Sequence, residues 1–166
     1  MNKQQGFTLI EAVIYIALFS LLFGGAVLAA YNVIEGSGRS QARAVLEQEG
    51  SFVLAKINWA LSGANSIQIP APGAPAPSLL VSRWISVAST TPLIFDLDNG
   101  HLRITGTGTP VILNTSSVLV TSLFFKDIPP SNGQPEGVSA STTLQILTPN
   151  GAVISEDFSA TNYLHK

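Results

Sequence analysis

Gly6-Phe7-Thr8-Leu9-Ile10-Glu11 opens the stretch whose reading decides the fold. From Phe7 to Tyr31 the chain runs FTLIEAVIYIALFSLLFGGAVLAAY, with one charge, Glu11, and no proline. About 20 apolar residues in a helix cross a bilayer core, so this run is long enough to span. Ahead of it stands MNKQQG, short and polar, with Lys3 and the amino terminus both cationic. A positive N-terminal flank favours a cytoplasmic N-terminus, which places the rest of the chain outside the cytoplasm.

A secretory signal peptide has an apolar stretch of about 7–15 residues and a small-residue cleavage site. Ala26-Val27-Leu28-Ala29-Ala30 could supply the site, but the stretch is longer. A plain signal anchor fits the length. Neither accounts for Glu11. A carboxylate at the middle of a membrane helix costs roughly 2.5–3.5 kcal/mol on insertion scales, less near the interface, so an ionisable residue there points to function.

Those six residues resemble the class III leader junction of type IV prepilins and type II secretion pseudopilins. The resemblance implies cleavage after Gly6 by a prepilin peptidase and N-methylation of the new terminal Phe7. It further implies that Glu11 pairs with the amino terminus of a neighbouring subunit during assembly. That pairing is physically reasonable, because a carboxylate in low dielectric is tolerable when it meets an ammonium. The family's partners would be other pilin or pseudopilin subunits, the peptidase, an inner-membrane platform protein, an assembly ATPase and membrane lipid.

Beyond the span, Val27, Ala30, Tyr31 and Ile34 keep helical spacing. Gly36-Ser37-Gly38 interrupts as a hinge or a tolerated weak point, each glycine costing about 1 kcal/mol in a helix. In the filaments of the resembling family helices partly unwind when packed, and Gly24-Gly25 is the better place for that; otherwise the pair serves close helix contact. From Ser40 an apolar stripe of Val45, Leu46, Phe52, Val53, Ile57, Trp59, Ala60 and Leu61 resumes, so one helix from Phe7 to about Leu61 is expected. All ten prolines lie at or after Pro70. Pro70 to Pro77 reads as an extended loop.

Strand patterns follow. They are Leu79–Val87, Pro92–Asp98, His101–Thr105, Val111–Leu113, Val118–Phe125, Val138–Leu147 and Ala152–Phe158. Asn99-Gly100 is a two-residue hairpin signal. The expected fold class is α+β, a long N-terminal α-helix packed on an antiparallel β-sheet head. The expected divisions are a leader at 1–6, a membrane and assembly half-helix at 7–31, an amphipathic half-helix at 32–66 and a β-rich head at 67–166. Helix followed by sheet is also the pilin order. Residues 79–147, with the hairpin, a short Val-Ile-Leu strand and Val-Leu-Val-Thr-Ser-Leu-Phe-Phe, resemble the heads of J-type minor pseudopilins and related minor pilins.

Composition narrows the function classes. The 166 residues are 46% hydrophobic and 11% charged, where soluble domains run near 25% charged. The span explains the mean hydropathy of +0.36 but not the scarcity of charge, because residues 67–166 carry only 10 charged groups. Serine and threonine, 23 of those 100 residues, supply the polar surface instead. A net charge of −2 argues against a nucleic-acid partner, which needs a basic surface. The absence of cysteine excludes disulfides, zinc-thiolate sites and cysteine nucleophiles.

His101 and His165 have no metal-ligand spacing, and no Gly-x-Ser-x-Gly elbow occurs. No catalytic residue and no cofactor are expected, and the reading is of a non-enzyme. Asp96 and Asp98 alternate before Gly100 in the manner of a calcium loop, without the downstream bidentate Glu. A strand end and a turn account for the same residues, and calcium is the minor alternative. Asn114-Thr115-Ser116 matches a glycosylation sequon formally, and Phe124-Phe125 is expected in the core. The expected role is a minor pilin or pseudopilin, membrane-inserted and then part of a periplasmic or cell-surface filament. The alternative is a membrane-anchored extracytoplasmic binding or adhesion domain that joins no filament.

Overall fold

The computed structural model describes residues 8–86, 89–131 and 135–164. The chain divides into two units, Met1–Ser40 and Gln41–Lys166. Helix α1, Leu9–Ser62, contributes to both. It runs without interruption through Gly24-Gly25 and Gly36-Ser37-Gly38, as the expectation of one long helix has it, with Gly36-Ser37-Gly38 a tolerated weak point rather than a break. A Cβ added to any of these four glycines would meet nothing of this chain within 4 Å.

In the first unit α1 is apolar and uncovered. It is long and apolar enough to cross a membrane, and no residue of its most apolar stretch is buried. Thr8 precedes the helix, and its carbonyl accepts the Ala12 amide at 3.2 Å, the N-cap position. Two aromatic rings, Phe19 and Phe23, stack one turn apart at 5.5 Å. Arg39 and Glu35 close an i, i+4 ion pair at 2.8 Å.

In the second unit the same helix turns amphipathic. Ala42, Leu46, Gly50, Val53, Ile57, Ala60 and Leu61 are buried, at intervals of three and four residues. The expected stripe is thereby narrowed. Val45, Phe52 and Trp59 recur every seventh residue on a neighbouring exposed face, and Ala42 and Gly50 take places in the buried one. The exposed aromatics carry cationic roofs, with Lys56 5.3 Å from the Phe52 ring centre and the Arg83 guanidinium 3.8 Å from that of Trp59. Gly50 is buried because the helix meets the Phe158 ring there, and a Cβ would lie 2.5 Å from two ring carbons.

Among the described residues nine strands follow, all pairing antiparallel. They are β1 Ala64–Ile69, β2 Pro75–Ala76, β3 Leu79–Ser86, β4 Ser89–Asp98, β5 His101–Thr105, β6 Val111–Ile112, β7 Val118–Ile128, β8 Gly137–Leu147 and β9 Val153–Tyr163. One sheet has the order β1-β3-β4-β5-β6, the other β2-β7-β8-β9. A long N-terminal helix followed by two antiparallel sheets is the expected α+β, pilin-like architecture.

Three expected strands are longer, β4 starting at Ser89, β7 reaching Ile128 and β9 reaching Tyr163, and two strands lie outside the expected set. β1 begins at Ala64, directly after the helix, where a polar mix (Asn65, Ser66, Gln68) hides the alternation. Part of the expected proline loop forms β2, whose Pro75 and Ala76 pair with Lys126 and Phe125 at a sheet edge, where proline is tolerated.

The core gathers Leu46, Val53, Ile57 and Leu61 of α1 with residues of both sheets. Leu79, Val81, Phe95 and Leu102 come from the first sheet, and Val118, Phe125, Val138 and Leu144 from the second. β7 shows why register matters. Val118 and Val120 are buried, and then Leu123 and Phe125 are, so the parity changes. A register shift between Val120 and Ser122 supplies the extra residue that causes this. Phe125 therefore enters the core, whereas Phe124 points outward and is 53% exposed, correcting the expectation for the pair.

Candidate functional site

The N-terminal site is built on the first turn of α1. Gly6 and Phe7, the expected cleavage pair, lie outside the described residues, as does His165. Thr8 stands at the N-cap and Glu11 three residues on, the spacing of a capping box. Negative charge in the first turn also faces the positive end of the helix dipole. Glu11 is half-buried, and the Tyr15 hydroxyl donates to its Oε1 at 3.4 Å from one turn further along. Around it Leu9, Ile10, Val13, Ile14, Ile16 and Phe19 are all exposed. The result is one carboxylate in a large uncovered apolar surface. Such a surface marks an interaction site with protein or lipid. A carboxylate has lone pairs for more than one donor, so a cationic group arriving along the apolar face would find an acceptor at Glu11.

The second candidate lies at the β4–β5 hairpin. Asn99 and Gly100 have φ of 50° and 79°, the left-handed pair that a tight primed turn demands. Asp98 pairs with His101 across the turn, and Asp96 with Arg103. Asp96 and Asp98 share one sheet face, two residues apart. Arg103 sits between them, with one guanidinium nitrogen 2.7 Å from Asp98 and another bonded to Asp96. The bond to Asp96 raises the Arg103 pKa above its ordinary value, partly opposed by desolvation, with the charges of Asp96 and Asp98 adding to the rise. The guanidinium thus takes the place between the carboxylates that a cation would occupy. Among the described residues, no group of three or more His, Cys, Asp or Glu side chains gathers to hold a metal.

Asn114 has a role that no local pattern reveals. It is 6% exposed. Its Oδ1 accepts the Leu102 amide at 2.8 Å, and its Nδ2 donates to the Val118 carbonyl at 2.6 Å. It also reaches the Gly100 carbonyl at 3.3 Å. One side chain therefore ties the hairpin to the start of β7, satisfying backbone groups that no ladder reaches. The sequon pattern offered no hint of this; a buried Asn between two strands is legible only once the strands are placed.

Neither the curated proteins nor the solved structures give a match to this chain. Residues 1–27 match the family model described as the prokaryotic N-terminal methylation motif. The match covers Gly6, Phe7 and Glu11 and extends into the apolar part of α1. The chain therefore carries, at its N-terminus, the class III leader segment of type IV pilins and pseudopilins.

Proposed function

We propose that this chain is a structural subunit, a minor pilin or pseudopilin, of a type IV pilus or a type II secretion-like filament, and not an enzyme. Residues 1–6 act as the leader and residues 7–31 as the membrane and assembly segment. The amphipathic half-helix runs from residue 32 and ends at Ser62, short of the expected residue 66, and the head begins with β1 at Ala64. The precursor inserts with its N-terminus in the cytoplasm, is cut after Gly6, and is methylated on Phe7. A platform protein and an ATPase of the machine then lift it from the inner membrane into the filament.

The observation that carries this reading is Glu11, the single charge of the uncovered apolar segment, placed inside the matched motif. In the membrane its cost is offset by the Tyr15 hydroxyl and the nearby helix end. In the filament it receives the Phe7 ammonium of a neighbour, while apolar helix faces pack around the pair. A filament thereby selects correctly staggered neighbours, since a misplaced one leaves the carboxylate unpaired.

The test is incorporation of Glu11→Ala in cells that carry the assembly machine. The variant should insert in the membrane and be processed normally, yet be depleted in purified filaments. Incorporation at the wild-type level would contradict the assembly role.

A further inference from the structure

We propose that the free edge of β9 is a strand-addition site for an extended, basic segment of another protein. The proposal is independent of the filament reading. An unpaired edge is a ready template for a further strand, and proteins usually blunt it with short length, proline, bulges or lysine. Among the described residues, three of the four sheet edges are blunted in those ways. β2 has two residues, one of them Pro75. β6 has two residues. β1 has two register shifts in six residues.

β9 has none of these four devices, and the charges Glu156 and Asp157 at its centre are its only blunting features. It runs for eleven residues without proline, glycine, lysine or arginine. Its pairing with β8 shows no register shift from Gly137↔Tyr163 to Leu147↔Val153. Among the described residues, no strand lies on its other side.

The ladder says which groups are free. Just beyond either end of the strand, the Leu164 amide donates to the Glu136 carbonyl and the Thr148 amide to the Ala152 carbonyl, both at 2.8 Å. In an antiparallel pair, hydrogen-bonded residues alternate with outward-facing ones. With the register continuous, the even residues of β9 bond to β8. The odd ones, Val153, Ser155, Asp157, Ser159, Thr161 and Tyr163, turn their backbone donors and acceptors away from it.

Side chains state the chemistry of the occupant. On the inner face Phe158 and Ala160 are only half-buried, while their β8 partners Thr142 and Ala140 are buried, and Ile154 is half-buried like its partner Ile146. A strand laid alongside would cover them with alternate apolar residues. The only charges of β9 are Glu156 and Asp157 at its centre, one on each face. Opposite charges across a strand pair attract and like charges repel. Two acids at the middle of the edge thus favour a lysine or arginine opposite them and disfavour a second copy of β9 lying antiparallel about Asp157, which would set Asp157 opposite Asp157.

The probe is a short synthetic peptide alternating threonine and valine with one central lysine. It is added to the full chain in detergent micelles while amide hydrogen exchange is followed residue by residue. The amides of Ser155, Asp157, Ser159 and Thr161 should exchange as free groups beforehand and become protected on addition. A glutamate-centred peptide should bind roughly fivefold more weakly, the scale of one cross-strand charge pair. A peptide methylated on the amides that would face β9 should give no protection.

Ser159→Pro removes an outward donor and leaves the β8 ladder intact, so it should abolish protection while keeping the fold. Lack of protection with the lysine peptide would overturn the site. Equal binding of the glutamate peptide would overturn its basic partner. Amides already protected without peptide, in proportion to protein concentration, would assign the edge to a second copy and overturn the proposal.

Discussion

The close approach of α1 to β9 at Gly50 gives a measurement that tests how the helix docks. In Gly50→Ala the new methyl carbon lies 2.5 Å from the Cδ1 and Cε1 of Phe158 and 2.6 Å from its Cγ. Overpacking of this kind costs about 1–3 kcal/mol. The same change removes a mid-helix glycine, which contributes about 1 kcal/mol in the opposite direction. The net expectation is a loss of about 1 kcal/mol, or roughly 3–6 °C in melting temperature for a unit of this size.

Both tryptophans, Trp59 and Trp84, lie in the second unit, so their fluorescence reports its melting. The sharper readout is a cycle with Phe158→Ala. Removing the ring should cost less in the Gly50→Ala background, because the clash goes with it, and the coupling should be about 1 kcal/mol. Gly36→Ala, in open space and in the first unit, should leave that melting unchanged. Additive costs in the cycle, or a Gly50→Ala protein as stable as the parent, would refute the docking of Gly50 on Phe158.

Other outcomes follow from the remaining sites. Asn114→Ala should destabilise the second unit by about 2–4 kcal/mol, since it strands the Leu102 amide and the Val118 carbonyl without partners; denaturant melting checks this. Calcium added to the wild-type chain should leave its melting temperature unchanged, because Arg103 already occupies the space between Asp96 and Asp98; a clear rise would show that the ion displaces the guanidinium. Gly6→Val should accumulate as uncut precursor on a denaturing gel, and a normally processed variant would count against cleavage at that position.

What could be read from the residues follows from the range of the forces involved. The helix end near Leu61 and the hairpin at Asn99-Gly100 are local, set by apolar spacing, proline position and a pair of residues that tolerate positive φ. The motif at Gly6 to Glu11 is also local, and it drew attention because a charge in an apolar run is conspicuous without any structure.

Features that depend on distant neighbours were not legible. The division of the helix into a buried stripe and an exposed Val45-Phe52-Trp59 stripe depends on which face the sheets meet. Which of Phe124 and Phe125 faces the core depends on a register shift in β7, and a bulge leaves no mark in hydrophobicity. β1 and β2 escape because their residues are polar or proline-containing and are held as strands by their partners, β3 and β7. Asn114 and Gly50 owe their roles to single contacts across the fold. At the N-terminal site, position and charge were readable in advance, whereas the Tyr15 hydroxyl as a ligand of Glu11 needed the geometry.

The most direct test of the central claim is the mature N-terminus of the chain isolated from cells with an active prepilin peptidase, read by mass spectrometry of its N-terminal peptide. The account predicts a chain that begins at N-methylated Phe7. A chain that still begins at Met1, or one cut near Ala30, would contradict it.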